Sequence, residues 1–239
     1  MPAMGVAMSI EPGGSGTSRA GATYEALRGE ILSLALPPGA LLAIPETCAR
    51  LGISRTTLAT AVRRLASEGL VVVAPQAGTT VARFSLAAIE ESAFLREAIE
   101  VAAVRRVAEA PPPGLVDALH GSLRVQDALL AEGDGGRLYA EDEAFHETLM
   151  AATGFGGVVD AAARAALAVK RARLILMPDP GRAADTVAEH RAIAGSIESA
   201  DPEAAAAAMR HHLRRMLTRL GAITRQRPEL FEEDDHARR

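Results

Sequence analysis

The 239-residue sequence has no tryptophan, one cysteine and an aromatic content of only 3%, although 49% of its residues are hydrophobic. A core made mainly of Ala, Leu, Val and Ile suits closely packed helices better than a β-sandwich. The single cysteine, Cys48, excludes a disulfide framework within the chain. No stretch approaches the roughly 18 uncharged apolar residues of a spanning helix, so we expect a cytoplasmic protein without a membrane span.

The rest of the composition is divided unevenly along the chain. Residues 1–19 are rich in Gly, Ser and Pro, which predicts a disordered leader rather than a signal peptide. Residues 20–83 carry six Arg and four Glu, whereas residues 84–239 carry 19 basic and 25 acidic residues. A mildly basic front and an acidic back indicate a DNA-binding head over 20–83 and a separate ligand-binding body over 84–225. We expect the last segment, 226–239, to be a flexible tail.

The front half has the spacing of a helix-turn-helix. Apolar residues at helical intervals predict a first helix over Thr23–Leu34, with Thr23 as its N-cap. A second helix is predicted over Pro45–Leu51, a turn at Gly52, and a third helix from Ser54. In this arrangement the N-terminal end of the last helix enters the major groove of DNA.

The start of this third helix carries side chains that suit contacts with DNA. Arg55 can pair with guanine or with phosphate. The hydroxyl groups beside it can donate hydrogen bonds to phosphate oxygens; they belong to Ser54, Thr56 and Thr57. We therefore expect this helix end to read DNA.

A β-hairpin is predicted directly after the third helix. β-Branched residues run over 71–73, a turn falls at Pro75–Gly78, and a second strand is expected at Thr80–Ala82. A hairpin in this place is a wing, and Gly78 would let the wing backbone approach DNA closely. The alternative is an ordinary small α/β domain in which this glycine only makes a turn.

The back half is predicted to be entirely helical. The helices are expected over Leu86–Glu109, Gly114–Ala131, Arg137–Ala152, Gly156–Met177, Arg182–Ser199 and Asp201–Leu220. Antiparallel helices of this length predict an all-α bundle of six to seven helices. The fold class is therefore mainly α, with an N-terminal winged helix-turn-helix and a C-terminal helical bundle.

Four side chains of the body form a plausible set of metal ligands. Asp142 and His146 are four residues apart and would share one face of a helix, while His190 and His212 lie on two further helices. Any one of these histidines alone is better explained as an ordinary helix residue than as a metal ligand. Three unpaired imidazoles on inward faces would be costly, however, and a shared divalent metal removes that cost. Glu143 completes only half of a di-iron motif, which favours a mononuclear site.

Several segments resemble one family of bacterial regulators. The segments YEALRGEIL, PPGALL, LGISRTTL and RRLASEGLVVVAPQAGTTV resemble the winged-helix domain of the GntR family. The segments FLREAIEVAAVRRVA, EDEAFHETLMAATG, AEHRAIAGSIESADPEAAAAAM and HHL resemble the FCD ligand-binding domain of its FadR subfamily. In that domain a D-x-x-x-H, a later EH and a last HL bind a divalent metal, commonly zinc or nickel. The resemblance therefore implies a metal site at Asp142, His146, His190 and His212.

The resemblance also implies partners and contacts. It implies a homodimer that reads a palindromic operator in double-stranded DNA and binds a small carboxylate effector at the metal. The implied DNA contacts are Ser54, Arg55, Thr56 and Gly78, with Thr57 and Arg28 beside them. The implied effector contact is Arg96. Arg173 is a second candidate for pairing with a carboxylate, and the alternative is that it is a solvated arginine on a helix. Ala59 and Ala77 stand where members of the family commonly carry basic residues, which would weaken DNA binding.

These expectations combine into one function with two rivals. We expect a transcription regulator, not an enzyme, whose affinity for DNA is controlled by a small organic acid at a metal in the body. One rival is a metal-dependent enzyme, since three imidazoles and a carboxylate can polarise a substrate or activate water. The other rival is a metal or ligand sensor whose DNA binding has weakened.

Overall fold

Five helices begin at a residue whose side chain accepts a hydrogen bond from a first-turn N–H; these caps are Ser18, Ser54, Ser85, Asp134 and Asp201. They are seen in a computed structural model that describes residues 18–76, 78–176 and 180–232. The elements, in chain order, are α1 (Arg19–Leu32), α2 (Ile44–Leu51), α3 (Arg55–Ser67), β1 (Val71–Ala74), β2 (Gly78–Val81), α4 (Leu86–Glu109), α5 (Leu115–Glu132), α6 (Gly135–Ala151), α7 (Gly156–Ala165), α8 (Leu167–Leu176), α9 (Pro180–Glu198), α10 (Pro202–Gln226) and a short 3₁₀ helix (Pro228–Leu230). The predicted mainly α fold class is confirmed.

The head contains α1–α3 and the predicted hairpin. The hairpin strands are antiparallel, with Val71 opposite Val81 and Ala74 opposite Gly78. A core of buried apolar side chains joins α1, α3 and the hairpin; it includes Tyr24, Leu27, Ile31, Leu58, Leu65, Val71 and Val81. Because these residues recur at helical intervals on α1 and α3, the two helices can share one apolar seam.

The first helix begins earlier than predicted. Thr23 was expected to cap it, but Arg19 is the first helical residue and Ser18 is the cap, accepting from the Gly21 amide at 3.1 Å. The Thr23 hydroxyl instead donates to the Arg19 carbonyl at 2.8 Å, and its side chain is buried. A threonine whose hydroxyl donates to a carbonyl of its own helix can lie inside that helix. The same residue type is favoured at N-caps, so the sequence alone does not distinguish the two positions.

The body is arranged around α4. This helix packs against α6, α7, α8, α9 and α10, so it contacts most of the bundle. The main core includes buried side chains from α4, α5, α6, α9 and α10, among them Val104, Leu119, Phe145, Leu149, Ile193 and Met209. None of the described helices combines the length and the apolar character needed to cross a membrane.

The helix predicted over Gly156–Met177 is interrupted, and this prediction is corrected. It divides into α7, which ends at Ala165, and α8, which begins at Leu167. Ser92 of α4 causes the break, because its hydroxyl donates to the Ala165 carbonyl and accepts from the Val169 amide at 3.3 Å. A side chain inserted into the helical hydrogen-bond ladder ends one helix and starts another without Gly or Pro. Met177 lies outside the described residues.

Part of the segment predicted as a flexible tail, 226–239, is packed. The short helix Pro228–Leu230 follows α10, and Phe84 of the head–body linker pairs with Phe231 in a parallel bridge. Leu230 and Phe231 are both buried. An apolar cluster at this junction includes Phe84, Ile89, Val169, Leu220, Leu230 and Phe231. Residues 1–17 of the predicted leader and 233–239 of the predicted tail lie outside the described residues.

Candidate functional site

The four predicted metal ligands come together in the body. Asp142 and His146 lie one turn apart on α6, His190 lies on α9, and His212 lies on α10. All four side chains are buried, and one ligand atom from each lies within 4.8 Å of the others. Helical spacing places the first pair on one face of α6, and packing of α9 and α10 supplies the other two. The cluster could hold a metal ion.

Each histidine ring is held from behind by an oxygen atom. The Nδ1–oxygen contacts are His146 with Glu100 Oε2 at 2.7 Å, His190 with Gln126 Oε1 at 2.8 Å, and His212 with Glu189 Oε2 at 2.8 Å. Carboxylate and amide oxygens are hydrogen-bond acceptors, so the hydrogen bonds of His190 and His212 favour the tautomer with the proton on Nδ1. The His146–Glu100 contact is close enough for an ion pair but does not have hydrogen-bond geometry, so it favours the same tautomer by charge alone. The Nε2 atom of each ring then offers its lone pair to the cluster. This is the arrangement by which proteins orient metal-binding histidines.

The inward atoms of the cluster lack donors of their own. His190 Nε2 lies 3.4 Å from Asp142 Oδ1, and within the described part of the chain neither atom has a hydrogen-bond partner. His146 Nε2 and His212 Nε2 are 3.1 Å apart. Lone pairs that face one another in a buried space repel unless a cation lies among them. Three imidazole nitrogens and one carboxylate oxygen are also a donor set that zinc and similar metals accept, so these residues fit a divalent metal.

The charges around the cluster favour the ligating forms of its members. Burial would raise the pKa of Asp142, but Arg173, which donates to Asp142 Oδ2 at 2.6 Å, holds it well below its usual value. Burial lowers the pKa of His190 well below its usual value and that of His212 to about 4. A neutral imidazole and an ionised carboxylate are the forms that bind metal.

The carboxylate behind His146 is also kept ionised. Burial alone would raise the pKa of Glu100, but Arg96 and His146 lower it to about 2. Arg96 Nε donates to Glu100 Oε1, and both side chains are buried. Arg96 therefore supports the candidate metal site through one intermediate side chain.

A cavity of about 250 Å³ lies beside the cluster. Its lining residues are Arg96, Glu100, Glu143, His146, Glu147, Met150, Val159, Asp160, Ala162, Ala163, Ala166 and Lys170. The cavity brings together one of the two predicted effector contacts, Arg96, with His146 of the cluster. Arg173, the other predicted contact, is not among the lining residues and contacts Asp142 and Glu143 instead.

Most of the predicted DNA contacts lie at the start of α3. Ser54 Oγ accepts from the Thr57 amide at 3.1 Å and lies 2.8 Å from the hydroxyls of Thr56 and Thr57. Arg55 is exposed beside them. Four of the predicted DNA-contact residues are therefore consecutive on one exposed helix end.

The other predicted head residues have separate surroundings. Gly78 has φ +92°, and a Cβ there would lie 3.2 Å from Leu41 Cδ1, so the wing requires glycine at this turn. Arg28 Nε lies 3.7 Å from Glu68 and lines a cavity of about 180 Å³ between head and body. The structure therefore does not group Arg28 with the start of α3. Ala59 is exposed on α3, and Ala77 lies outside the described residues.

Sequence reasoning missed the residues that support the cluster from behind. Glu100, Gln126 and Glu189 lie on three different helices, and their contacts arise only from tertiary packing. Two of them carry weak signals, since Glu189 precedes His190 and Glu100 follows Arg96 by one helical turn. The orientation of the Gln126 side chain is fixed by a second hydrogen bond, which its amide nitrogen donates to Ser122 Oγ at 3.1 Å.

Comparison with known proteins agrees with both parts of the chain. Residues 19–81 match the model of the gntR family of bacterial regulatory proteins, and residues 91–215 match the FCD domain. An uncharacterized HTH-type transcriptional regulator in an unstable DNA locus of Streptomyces ambofaciens is 37% identical over 215 residues, which cover 88% of this chain and 89% of that protein. The HTH-type transcriptional repressor RspR of Escherichia coli K12 is 25% identical, over 88% of this chain and 92% of that protein.

A solved structure shows the same fold. The crystal structure of a putative GntR transcriptional regulator from Rhodococcus sp. RHA1 is 23% identical, with a TM-score of 0.71 over 86% of this chain and 99% of that one. The family match covers both the head and the body, and the body match alone spans more than half of the chain. The chain therefore belongs to the gntR family of bacterial regulatory proteins and is a transcriptional regulator with a helix-turn-helix head and an FCD body.

Proposed function

We propose that this regulator binds operator DNA with an affinity set by a small organic acid, bound beside a divalent metal in the body. The observation that carries the proposal is the cavity of about 250 Å³ that opens beside His146 of the buried four-residue cluster. A metal site alone could be structural, because a fully enclosed ion offers no place for a ligand. A cavity on one flank of the cluster supplies that place.

Asp142, His146, His190 and His212 would hold the metal, which we propose to be zinc or nickel. When bound, the metal supplies a fixed positive centre with coordination positions open to a carboxylate. The chain's own residues keep this site in shape. Glu100, Gln126 and Glu189 orient the three rings, and the half-buried Arg173 holds Asp142 in its ionised form; these contacts all lie within 2.6–2.8 Å.

The lining of the cavity holds four carboxylates against two cations, so a small anion would bind there through the metal and by competing with Glu100 and Glu143 for those cations. Arg96 and Lys170 are its two cationic residues, and Arg96 is buried. The lining also includes apolar side chains from α6 and α7, among them Met150, Val159 and Ala162. A cavity of about 250 Å³ admits a compact organic acid and excludes a long acyl chain. The effector class that we propose is therefore a small carboxylate.

At the other end we propose that two heads of a homodimer read a palindromic operator. The contacts would come from Ser54, Arg55, Thr56, Thr57 and Gly78, with Arg28 at the margin of the head. Short hydroxyl side chains and an exposed arginine at a helix N-terminus suit phosphate contacts and one base contact. The protein would work in the cytoplasm, where its DNA lies.

We propose a sensing rather than a catalytic role for the body. The buried carboxylates around the cluster are engaged by neighbouring cations or imidazoles. Glu100 contacts Arg96 and His146, Asp142 contacts Arg173, and Glu189 contacts Arg182 and His212. A carboxylate held ionised by such partners orients its neighbours, whereas a general base has to gain and release a proton.

The test combines metal analysis, acid binding and DNA binding. The metal-loaded and metal-stripped chain would be screened by thermal shift against acetate, lactate, malate, citrate and gluconate. An acid that stabilises only the metal-loaded form would then be added to an anisotropy titration with DNA from the region upstream of the chain's own gene. We expect the DNA affinity to change roughly 5–150-fold. Coincident titration curves with an acid that binds would refute the proposal.

A further inference from the structure

Three side chains of α8 reach three different parts of the molecule. Lys170 forms an ion pair with Glu143 at the edge of the cavity. Arg171 donates to the carbonyl oxygens of Ala82 and Arg83 in the linker between head and body, the latter at 3.3 Å. Arg173 donates to Asp142 of the metal cluster. Because residues adjacent on a helix point about 100° apart, one short helix can contact the cavity, the linker and the cluster at once.

The linker is also held by the end of the chain. The Phe84 amide donates to the Leu230 carbonyl at 2.9 Å, and the Glu232 amide donates to the Phe84 carbonyl at 2.8 Å. The Phe84 and Phe231 rings lie 5.6 Å apart. The guanidinium of Arg171 lies 4.5 Å from the centre of the Phe84 ring. Phe84 is therefore enclosed by α8 on one side and by the C-terminal segment on the other.

These contacts give the linker a fixed course. The Ala82 amide donates to the Leu70 carbonyl of the head at 3.0 Å, so the residue that accepts from Arg171 is itself tied to the head. Burial lowers the pKa of Arg171 to about 10, and Glu232 offsets part of this effect. A partly buried guanidinium that donates its hydrogen bonds to backbone carbonyls restricts where that backbone can lie.

We propose that Arg171 is a positioning residue: with the C-terminal segment Pro228–Glu232 it clasps the linker 82–85, and α8 carries the state of the metal site and cavity to the head. The proposal rests on the effector function proposed above. Its physical basis is the position of Lys170 and Glu143, which line both the cavity beside His146 and the cavity between head and body.

An anion in the first cavity competes with Glu143 for Lys170. Lys170 and Arg171 are adjacent on α8, so a displacement of Lys170 also displaces Arg171. Arg171 in turn would shift the linker carbonyls to which it donates. Packed helices have few alternative arrangements, so a small displacement at the cavity becomes a discrete shift of the head. The clasp thus converts ligand binding into a change in how the two heads are presented to DNA.

The test compares full-length Arg171→Met, which keeps the apolar stem and removes the donors, with Arg171→Lys and with Arg164→Met on the exposed face of α7. Metal content and the acid-induced thermal shift should match the wild type in all three. In Arg171→Met the acid should no longer change DNA affinity, whereas the wild-type change is roughly 5–150-fold. Arg171→Lys should restore part of the response, and Arg164→Met should keep all of it. A full response in Arg171→Met overturns the proposal.

A second readout separates this proposal from the effector function. Hydrogen exchange at the Phe84 and Glu232 amides reports the clasp with no acid present. Both should be protected in the wild type and should exchange roughly tenfold faster or more in Arg171→Met. If the wild type shows no response to any acid that binds, the effector function fails, and these amides still decide the clasp. The clasp is refuted if these amides are unprotected in the wild type, or if they exchange at the same rate in Arg171→Met.

Discussion

The candidate metal site of the body and the proposed DNA contacts of the head are built in opposite ways. The four side chains of the cluster are buried, and each contacts at least one further side chain that fixes its orientation. The residues at the start of α3 are mostly exposed, and their hydroxyls contact one another. The cluster is therefore ordered without a bound ligand, whereas the polar groups at the start of α3 would find their final partners in DNA.

This difference predicts where substitutions act most strongly. In the body, loss of one group leaves a buried partner unsatisfied, so the effect exceeds that of the lost contact itself. In the head, a lost contact is replaced by water, so the effect is limited to the contact with DNA.

The largest effect is expected from His190→Ala. His190 is fully buried, and its removal takes away one metal ligand and leaves Gln126 Oε1 without its partner. We expect stoichiometric metal in the wild type and almost none in the variant, measured by elemental analysis after gel filtration. His211→Ala, one residue before His212 but exposed, is the matched control and should keep its metal. Equal metal contents in the two variants would contradict the site.

The next effect is expected from Gln126→Leu. This change keeps all four ligands but removes the acceptor behind the His190 ring. Loss of such a supporting partner lowers metal affinity by roughly 10–100-fold. A competition titration with a chromophoric chelator measures it, and Asp127→Ala, the exposed neighbour on α5, should stay near the wild-type value. Wild-type affinity in Gln126→Leu would mean that the ring needs no support.

A smaller effect is expected in the head from Arg55→Ala. This arginine is exposed at the start of α3, where a guanidinium can contact a base or a phosphate. The expected loss of DNA-binding free energy is about 1–3 kcal/mol, measured by anisotropy at fixed salt. Arg124→Ala, an exposed arginine on α5, should bind as the wild type does. An undiminished affinity in Arg55→Ala would remove this residue from the DNA contacts.

The smallest effect is expected from Ala59→Arg, which adds a cation one helical turn after Arg55 on an exposed position. A new phosphate contact should strengthen binding and steepen the dependence of log affinity on log salt by about one unit. Ala59→Glu should weaken DNA binding. An unchanged salt slope in Ala59→Arg would place this position away from the phosphates.

The same contrast explains how much could be predicted from sequence. The helices of both domains and the wing follow from apolar spacing and turn residues, and the fold class is confirmed. The metal ligands could be proposed because Asp142 and His146 share a helix face, a relation that is local in sequence. The supporting role of Gln126 could not be predicted, because Gln126 lies on α5 and its partner His190 lies on α9. The break between α7 and α8 also depends on a distant residue, Ser92, whose hydroxyl interrupts a helix with no breaking residue of its own.

The C-terminal segment shows the same limit. The segment after Gln226 is predicted to be a flexible tail, and eight of its 13 residues are Arg, Glu or Asp. Two apolar residues, Leu230 and Phe231, are nevertheless enough to pack on Phe84 once the fold brings α10 back to the linker. The partner lies about 150 residues earlier in the chain, so only the tertiary structure reveals the contact.

The most direct test of the account measures DNA affinity in the wild type and in His190→Ala side by side. Both proteins would be titrated against the same upstream DNA, with and without an acid that stabilises the metal-loaded wild type. We expect DNA affinity to change roughly 5–150-fold when acid is added to the wild type and not to change in His190→Ala. A wild-type affinity that ignores the bound acid, or a variant that responds equally, would contradict the coupling of the metal site to the DNA-reading head.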